Sequence, residues 1–153
     1  MILLDTHVLV WCATGYTRKM SGERMDEIDA AMLSGEAAVS AVTFWELEHI
    51  RRKPSRNMAR LPRTASLRLR LLSDGRGEIA PTGDIMVKAV ELGDDGFHKD
   101  PMDRIIVATA LRTGYNFATA DAQILAWADR TDQLDVFYLT SKPIDLIDPW
   151  ADG

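Results

Sequence analysis

The stretch His98-Lys-Asp-Pro-Met-Asp-Arg-Ile-Ile-Val-Ala-Thr-Ala-Leu-Arg-Thr-Gly-Tyr-Asn-Phe-Ala-Thr-Ala-Asp121 carries the fold's signature in one run: loop, helix, strand, loop. Pro101 suits a first helical turn, Asp100 stands where an N-cap belongs, and Ile105, Val107, Ala108 and Leu111 recur near helical spacing until Gly114 offers a C-cap. Asp103 therefore falls in that helix's first turn. The short run Tyr115 to Thr119 reads as a buried strand that brings Thr119 and Asp121 to its C-terminal end, which is where ligands bind in an open α/β sheet.

Working outward, the same grammar repeats. Met1 to Leu4 form an apolar run ending at Asp5-Thr6-His7, a buried strand followed by a short helix, with Thr6 placed to cap the helix or meet a ligand oxygen. Ser21 to Leu33 place Met25, Ile28, Ala31 and Met32 at helical spacing and stop at Ser34-Gly35. Ala37 to Val42 read as a second strand, after which Thr43 and Glu46 have the spacing of a capping box, Thr-x-x-Glu. Glu78 to Ala80 predict a brief strand, Thr82 to Leu92 a helix, Ile124 to Ala128 a short helix and Val136 to Leu139 a last strand. Residues 51–72 are the most basic part of the chain and predict a basic helical hairpin; residues 141–153, with Pro143 and Pro149, predict a terminal tail.

Composition narrows the function classes. A chain of 153 residues with 46% hydrophobic content can bury one core, so a single domain over 1–153 is expected. Its one cysteine, Cys12, excludes an internal disulfide, and three histidines make a Cys/His zinc site a poor expectation. No apolar run approaches the ~18 residues of a membrane span, so a cytoplasmic protein with no membrane role is expected. The net charge of −5 argues against a generally basic nucleic-acid binder, yet a local basic strip can still meet phosphates.

A parallel α/β layout would bring Asp5, Glu46 and Asp121 together, with Asp103 joining from a helix's first turn. Crowded carboxylates repel unless a cation is present, and oxygen donors without a thiolate suit Mg²⁺ or Mn²⁺. The chemistry expected of such a site is phosphoryl transfer. Four segments in order then carry a resemblance: Leu3 to Trp11, Val39 to Leu47, His98 to Arg104 with Ile106 to Ala110, and Ala118 to Asp121. Together they make the chain resemble the PIN-domain ribonucleases, and more narrowly the VapC-type toxins of toxin–antitoxin pairs. The resemblance implies a three-layer α/β/α fold with a small, mostly parallel sheet. It also implies a Mg²⁺- or Mn²⁺-dependent endoribonuclease whose catalytic and metal-binding acids fall on Asp5, Glu46, Asp103 and Asp121, with an RNA substrate, a cognate antitoxin and a homodimer. Thr119 falls on a small hydroxyl position that supports the site, and Thr6 is a second such hydroxyl.

Plainer readings stand beside these. Asp5 can be a simple helix cap and Glu46 half of a capping box. Asp100 and Asp103 compete for one position, Asp100 reading as the N-cap and Asp103 aligning with the resemblance. His98 could bind phosphate or shuttle a proton, although a loop histidine bonded to backbone is the plainer reading; His7 and His49 read as structural. Trp11, Phe44 and Trp45 read as core or interface. Trp45, Ile50, Leu61, Leu67 and Leu69 predict an exposed apolar groove that would receive an antitoxin segment, whose basic residue would enter the acidic site in competition with the metal. Ala120 departs from the family's pattern, which often has arginine before the last aspartate, and the segment from Thr131 onward exceeds a minimal version. A housekeeping RNA-processing nuclease and an inactive PIN-like binding module remain alternatives.

Overall fold

A computed structural model describes residues 1–16, 18–53, 61–71 and 77–140. Five strands, β1 (Ile2–Leu4), β2 (Ala37–Ser40), β3 (Glu78–Ile79), β4 (Asn116–Ala118) and β5 (Val136–Phe137), form one sheet in the order β3-β2-β1-β4-β5. All four neighbour pairs are parallel. Seven helices are described: α1 (Thr6–Thr14), α2 (Gly22–Ser34), α3 (Val42–Arg52), α4 (Thr64–Leu71), α5 (Gly83–Glu91), α6 (Pro101–Thr113) and α7 (Ala122–Thr131).

The strands are short, and the inner ones, β1, β2 and β4, are largely buried on both faces, as parallel strands with helical crossovers must be. Side chains alternate along each strand with period two, and the two faces feed two separate cores. Leu4, Ala37, Val39 and Ala118 join Val8, Leu9, Ile28, Leu47, Leu67 and Leu71 beneath α1 to α4. Leu3, Ala38 and Phe117 join Ile85, Leu92, Ile106, Ile124 and Trp127 beneath α5 to α7. Helices thus cover both faces of the sheet, giving the three layers expected.

Local signals end the helices where the sequence put them. Ser21 Oγ accepts from the Arg24 N–H at the start of α2, and Gly35, at φ 76°, closes that helix in the left-handed conformation favoured for glycine. Asp100 caps α6 through the Met102 and Asp103 N–H groups, Pro101 occupies its first turn, and Gly114 at φ 72° ends it.

Two sequence expectations need correction. The Thr43–Glu46 capping box does not form: α3 starts earlier, after Ala41, which makes no side-chain cap, and Thr43 is turned into the core. The hydroxyls of Thr43 and Thr6 are 3.2 Å apart, so packing against α1 overrides the local motif. The apolar groove is also smaller than expected, because Leu61 and Leu67 are buried core residues and Ile50 is partly buried against them. Trp45 and Leu69 do remain exposed, at 56% and 72%. Of the expected basic hairpin over 51–72, the end of α3 and all of α4 are described, whereas residues 54–60 and 72 lie outside the described residues. The terminal tail, 141–153, lies outside them too.

Among the described residues, no helix is long and apolar enough to cross a membrane. Cys12 is a free thiol.

Candidate functional site

The chain passes from β1 outward to β2 and β3 on one side, then returns to build β4 and β5 on the other. The reversal of direction lies between β1 and β4, and a crevice opens at the C-terminal ends of strands at such a point. Asp5 follows β1 directly and caps α1; Thr119, Ala120 and Asp121 follow β4, and Asp121 caps α7. The Asp5 N–H donates to the Ala118 carbonyl at 3.0 Å, continuing the ladder one step past the strands and fixing the two loops against each other.

The crevice is a cleft of about 180 Å³ lined by Asp5, His7, Trp11, Glu46, Asp100, Asp103, Ala120 and Asp121. All four expected acids reach it, and Asp100 joins them. Thr6, Thr119 and His98 stand behind the acids and hold them. Asp5 is almost wholly buried; its Oδ1 accepts the Thr6 N–H at 2.8 Å and its Oδ2 accepts the Thr119 hydroxyl at 2.7 Å. Thr119 Oγ1 also accepts the Asp121 N–H at 3.0 Å, so one threonine orders two of the acids. The Thr6 hydroxyl donates to Glu46 Oε1 at 2.7 Å, joining α1 to α3. Asp121 Oδ1 accepts the Gln123 and Ile124 N–H groups.

His98 is the third correction. Its side chain does not bond backbone: Nε2 lies 2.7 Å from Asp103 Oδ2. The backbone contact of this loop is made by its carbonyls, as Arg104 donates to the oxygens of His98 and Phe97. His7, read as structural from sequence, stands on the cleft wall beside Trp11, their ring centroids 6.3 Å apart. A residue two places beyond Asp5, at the start of a helix whose N-terminus faces the crevice, carried the signal that could have found it. His49 lies against exposed Trp45, ring centroids 3.9 Å apart, away from the acids.

The electrostatics records the crowding. Burial pushes the Asp5 carboxyl above its ordinary range, with Asp121 adding repulsion and Thr119, His7 and the Thr6 N–H opposing the rise. Burial pushes Glu46 up to about 7, against its bond from Thr6 and with repulsion from Asp5, Asp103 and Asp100. Burial likewise raises Asp103 to about 6, with His98 pulling it down and Asp5, Asp100 and Asp121 pushing it up. Such groups favour a proton or a cation over bare charge. Among the described residues no three His, Cys, Asp or Glu side chains close into a ready-made metal cage. The fit to a hard divalent cation is one of donor chemistry, several carboxylates facing one cleft.

The sequence matches the profile of the PIN domain over residues 2–130. The chain belongs to the PIN domain family. PIN domains are generally nucleases. No curated protein matches the chain. Among solved structures, the PIN domain is similar to VapBC2 from Rickettsia felis, a complex bound to a DNA fragment from its promoter, with a TM-score of 0.60 and 17% identity over 90% of this chain and 98% of that one. FitAcB from Neisseria gonorrhoeae gives a TM-score of 0.59 at 23% identity, over 90% of this chain and 96% of the other. A toxin–antitoxin complex from Klebsiella pneumoniae gives 0.57 at 20% identity, over 80% and 88%. These likenesses show a shared fold. In this PIN domain the cleft at the β1/β4 junction is where the acids meet.

Proposed function

We propose that this PIN domain is a divalent-metal-dependent endoribonuclease and the toxin of a toxin–antitoxin pair. The observation that carries the nuclease reading is the convergence of Asp5, Glu46, Asp103 and Asp121, from four separate segments, on one cleft where burial raises the carboxyls of Asp5, Glu46 and Asp103. The toxin reading is supported by the fold shared with toxin–antitoxin complexes.

In this reading Asp5 and Asp103 hold the principal Mg²⁺ or Mn²⁺, and Glu46 and Asp121 complete its surroundings or orient water. A divalent cation supplies activation of water and neutralisation of charge on the phosphate. The chain's own groups do the positioning. Thr119 fixes Asp5 and the backbone of Asp121, and Thr6 fixes Glu46, so the carboxylates enter the reaction already ordered. Arg52, Arg63 and Arg70 are exposed cations of the 51–72 segment and supply phosphate contacts that an acidic cleft cannot.

A homodimer and a cognate antitoxin complete the reading. Exposed Trp45 and Leu69 offer the antitoxin an apolar seat, and an arginine from it would find bidentate partners among the cleft carboxylates.

The test is incubation of the purified protein with a defined RNA set in Mg²⁺, Mn²⁺ or EDTA, beside Asp103→Asn. Internal cleavage that disappears with EDTA and in the variant is expected. Absence of cleavage with either metal, or cleavage indifferent to EDTA, would sink the nuclease reading.

A further inference from the structure

The loop before α6 is held more firmly than a connection needs to be. Arg104 Nε donates to the His98 carbonyl at 2.7 Å and its Nη2 to the Phe97 carbonyl at 3.0 Å, clamping the loop from α6. From α7, Trp127 Nε1 donates to the Asp95 carbonyl at 3.1 Å. Phe97 is buried, meets Trp127 edge-on with centroids 5.2 Å apart, and stacks on the His98 ring at 4.4 Å and 23°. Gly93 sits so close to the Arg104 guanidinium that a Cβ there would lie 2.9 Å from Nη1, so the loop is packed directly on its clamp.

The product of these contacts is one imidazole nitrogen placed 2.7 Å from Asp103 Oδ2, with both side chains only 22% exposed. A carboxylate that holds a cation is ionised and only accepts, so in that state Nε2 carries the hydrogen. One lone pair of Oδ2 is thereby taken, while Asp103 still lines the cleft, so Oδ1 is the less encumbered oxygen for a ligand.

We propose that His98 is a positioning residue for Asp103, its Nε2–H fixing the carboxylate's rotation so that Oδ1 faces the cation site. The inference rests on the metal reading above and deepens it. His98 touches neither metal nor RNA; it acts through Asp103, as hydrogen-bond partners of metal-binding carboxylates do, where their loss typically weakens metal affinity by about 10–100-fold.

The experiment measures MnCl₂ binding by calorimetry on the full chain, together with metal-free thermal unfolding, for wild type, His98→Leu and His98→Gln. Leucine keeps volume without the donor; glutamine keeps a side-chain N–H. The expected result is a roughly 10–100-fold weaker Mn²⁺ Kd in His98→Leu, most of it restored in His98→Gln, with RNA cleavage following Mn²⁺ occupancy. Wild-type affinity in His98→Leu would overturn the proposal alone. Equal losses in both variants would overturn it in favour of the ring's stacking on Phe97. Should His98→Leu fail to fold, near-wild-type affinity in His98→Gln supports the proposal and a loss there overturns it. A wild-type protein that binds no Mn²⁺ would overturn the metal reading and this inference with it.

Discussion

The Thr119 hydroxyl donates to Asp5 Oδ2 at 2.7 Å, although the two stand 114 positions apart in the chain. That bond spans the β1/β4 junction and opposes the rise that burial imposes on the Asp5 carboxyl. Thr119→Val keeps the shape and removes the hydroxyl, leaving Asp5 a donor short and the Asp121 N–H without its acceptor. The expected cost is about 1–3 kcal/mol of stability and a roughly 10–100-fold weaker divalent-metal Kd. Thr119→Ser should preserve both. Urea unfolding and calorimetry check this, and a Val variant equal to wild type in both would remove Thr119 from the site.

Asp100 and Asp103 should separate cleanly. Asp100 accepts two backbone N–H groups at the start of α6, whereas Asp103 faces the cleft with His98 behind it. Asp100→Ala should cost about 0.5–2 kcal/mol of stability while cleavage persists. Asp103→Asn should lose metal-dependent cleavage and keep its stability. The reverse pattern in unfolding and activity assays would exchange their roles.

The metal-free protein should lose stability as pH rises. Folded Glu46 and Asp103 titrate at about 7 and about 6, above their ordinary 4.5 and 3.8, with burial as the main cause. Over that window the folded chain holds protons that the unfolded chain has released, so the slope of stability against pH is negative and levels off above about pH 7. Solvent at the cleft limits the loss to roughly 1–3 kcal/mol. Mg²⁺ replaces those protons, so it should raise Tm more at pH 8 than at pH 5. Thermal scans in EDTA that rise steadily from pH 5 to pH 8 would contradict this.

Cations outside the cleft should govern RNA affinity. Reversing Arg52, Arg63 and Arg70 to glutamate should weaken RNA binding, reduce its dependence on salt and leave Mn²⁺ affinity unchanged. Filter binding across a salt series measures this. An unaltered slope would assign these arginines to solvent or to a protein partner.

The proposed dimer has a candidate surface on α5, where Met86, Val87 and Val90 form an exposed apolar stripe opposite buried Ile85 and Ala89. Val87→Glu with Val90→Glu should shift the protein to monomer in analytical ultracentrifugation with its fold retained. A dimer that survives both changes lies elsewhere.

How much of this was legible in the sequence follows from how far each partner lies along the chain. Asp100, Pro101 and Gly114 delimit α6 through bonds that span a few residues, and β4 follows at once, so that element could be placed from local chemistry. Asp5 and Asp121 were legible because a carboxylate between the end of a buried strand and the start of the next helix has few places to go. The role of Thr6 in holding Glu46 was not, since the two stand 40 positions apart and the nearer Thr43 offered a plausible partner. Thr43 was misjudged because a capping motif is a weak local preference, and burial against α1 outweighs it. Leu61 and Leu67 were misjudged because a neighbourhood of arginines conceals which side of a helix meets the core.

The central place of β1 bears on what happens during synthesis. Its neighbour β4 and the acids Asp103 and Asp121 are translated long after Asp5 and Glu46, and a nascent chain folds from its N-terminus as residues emerge. Until β4 docks, Asp5 has neither the Ala118 carbonyl nor the Thr119 hydroxyl to hold it, and half of the acidic cleft does not yet exist. A protein whose proposed substrate is RNA would thereby lack its complete cleft until the segment through Asp121 has left the ribosome and docked.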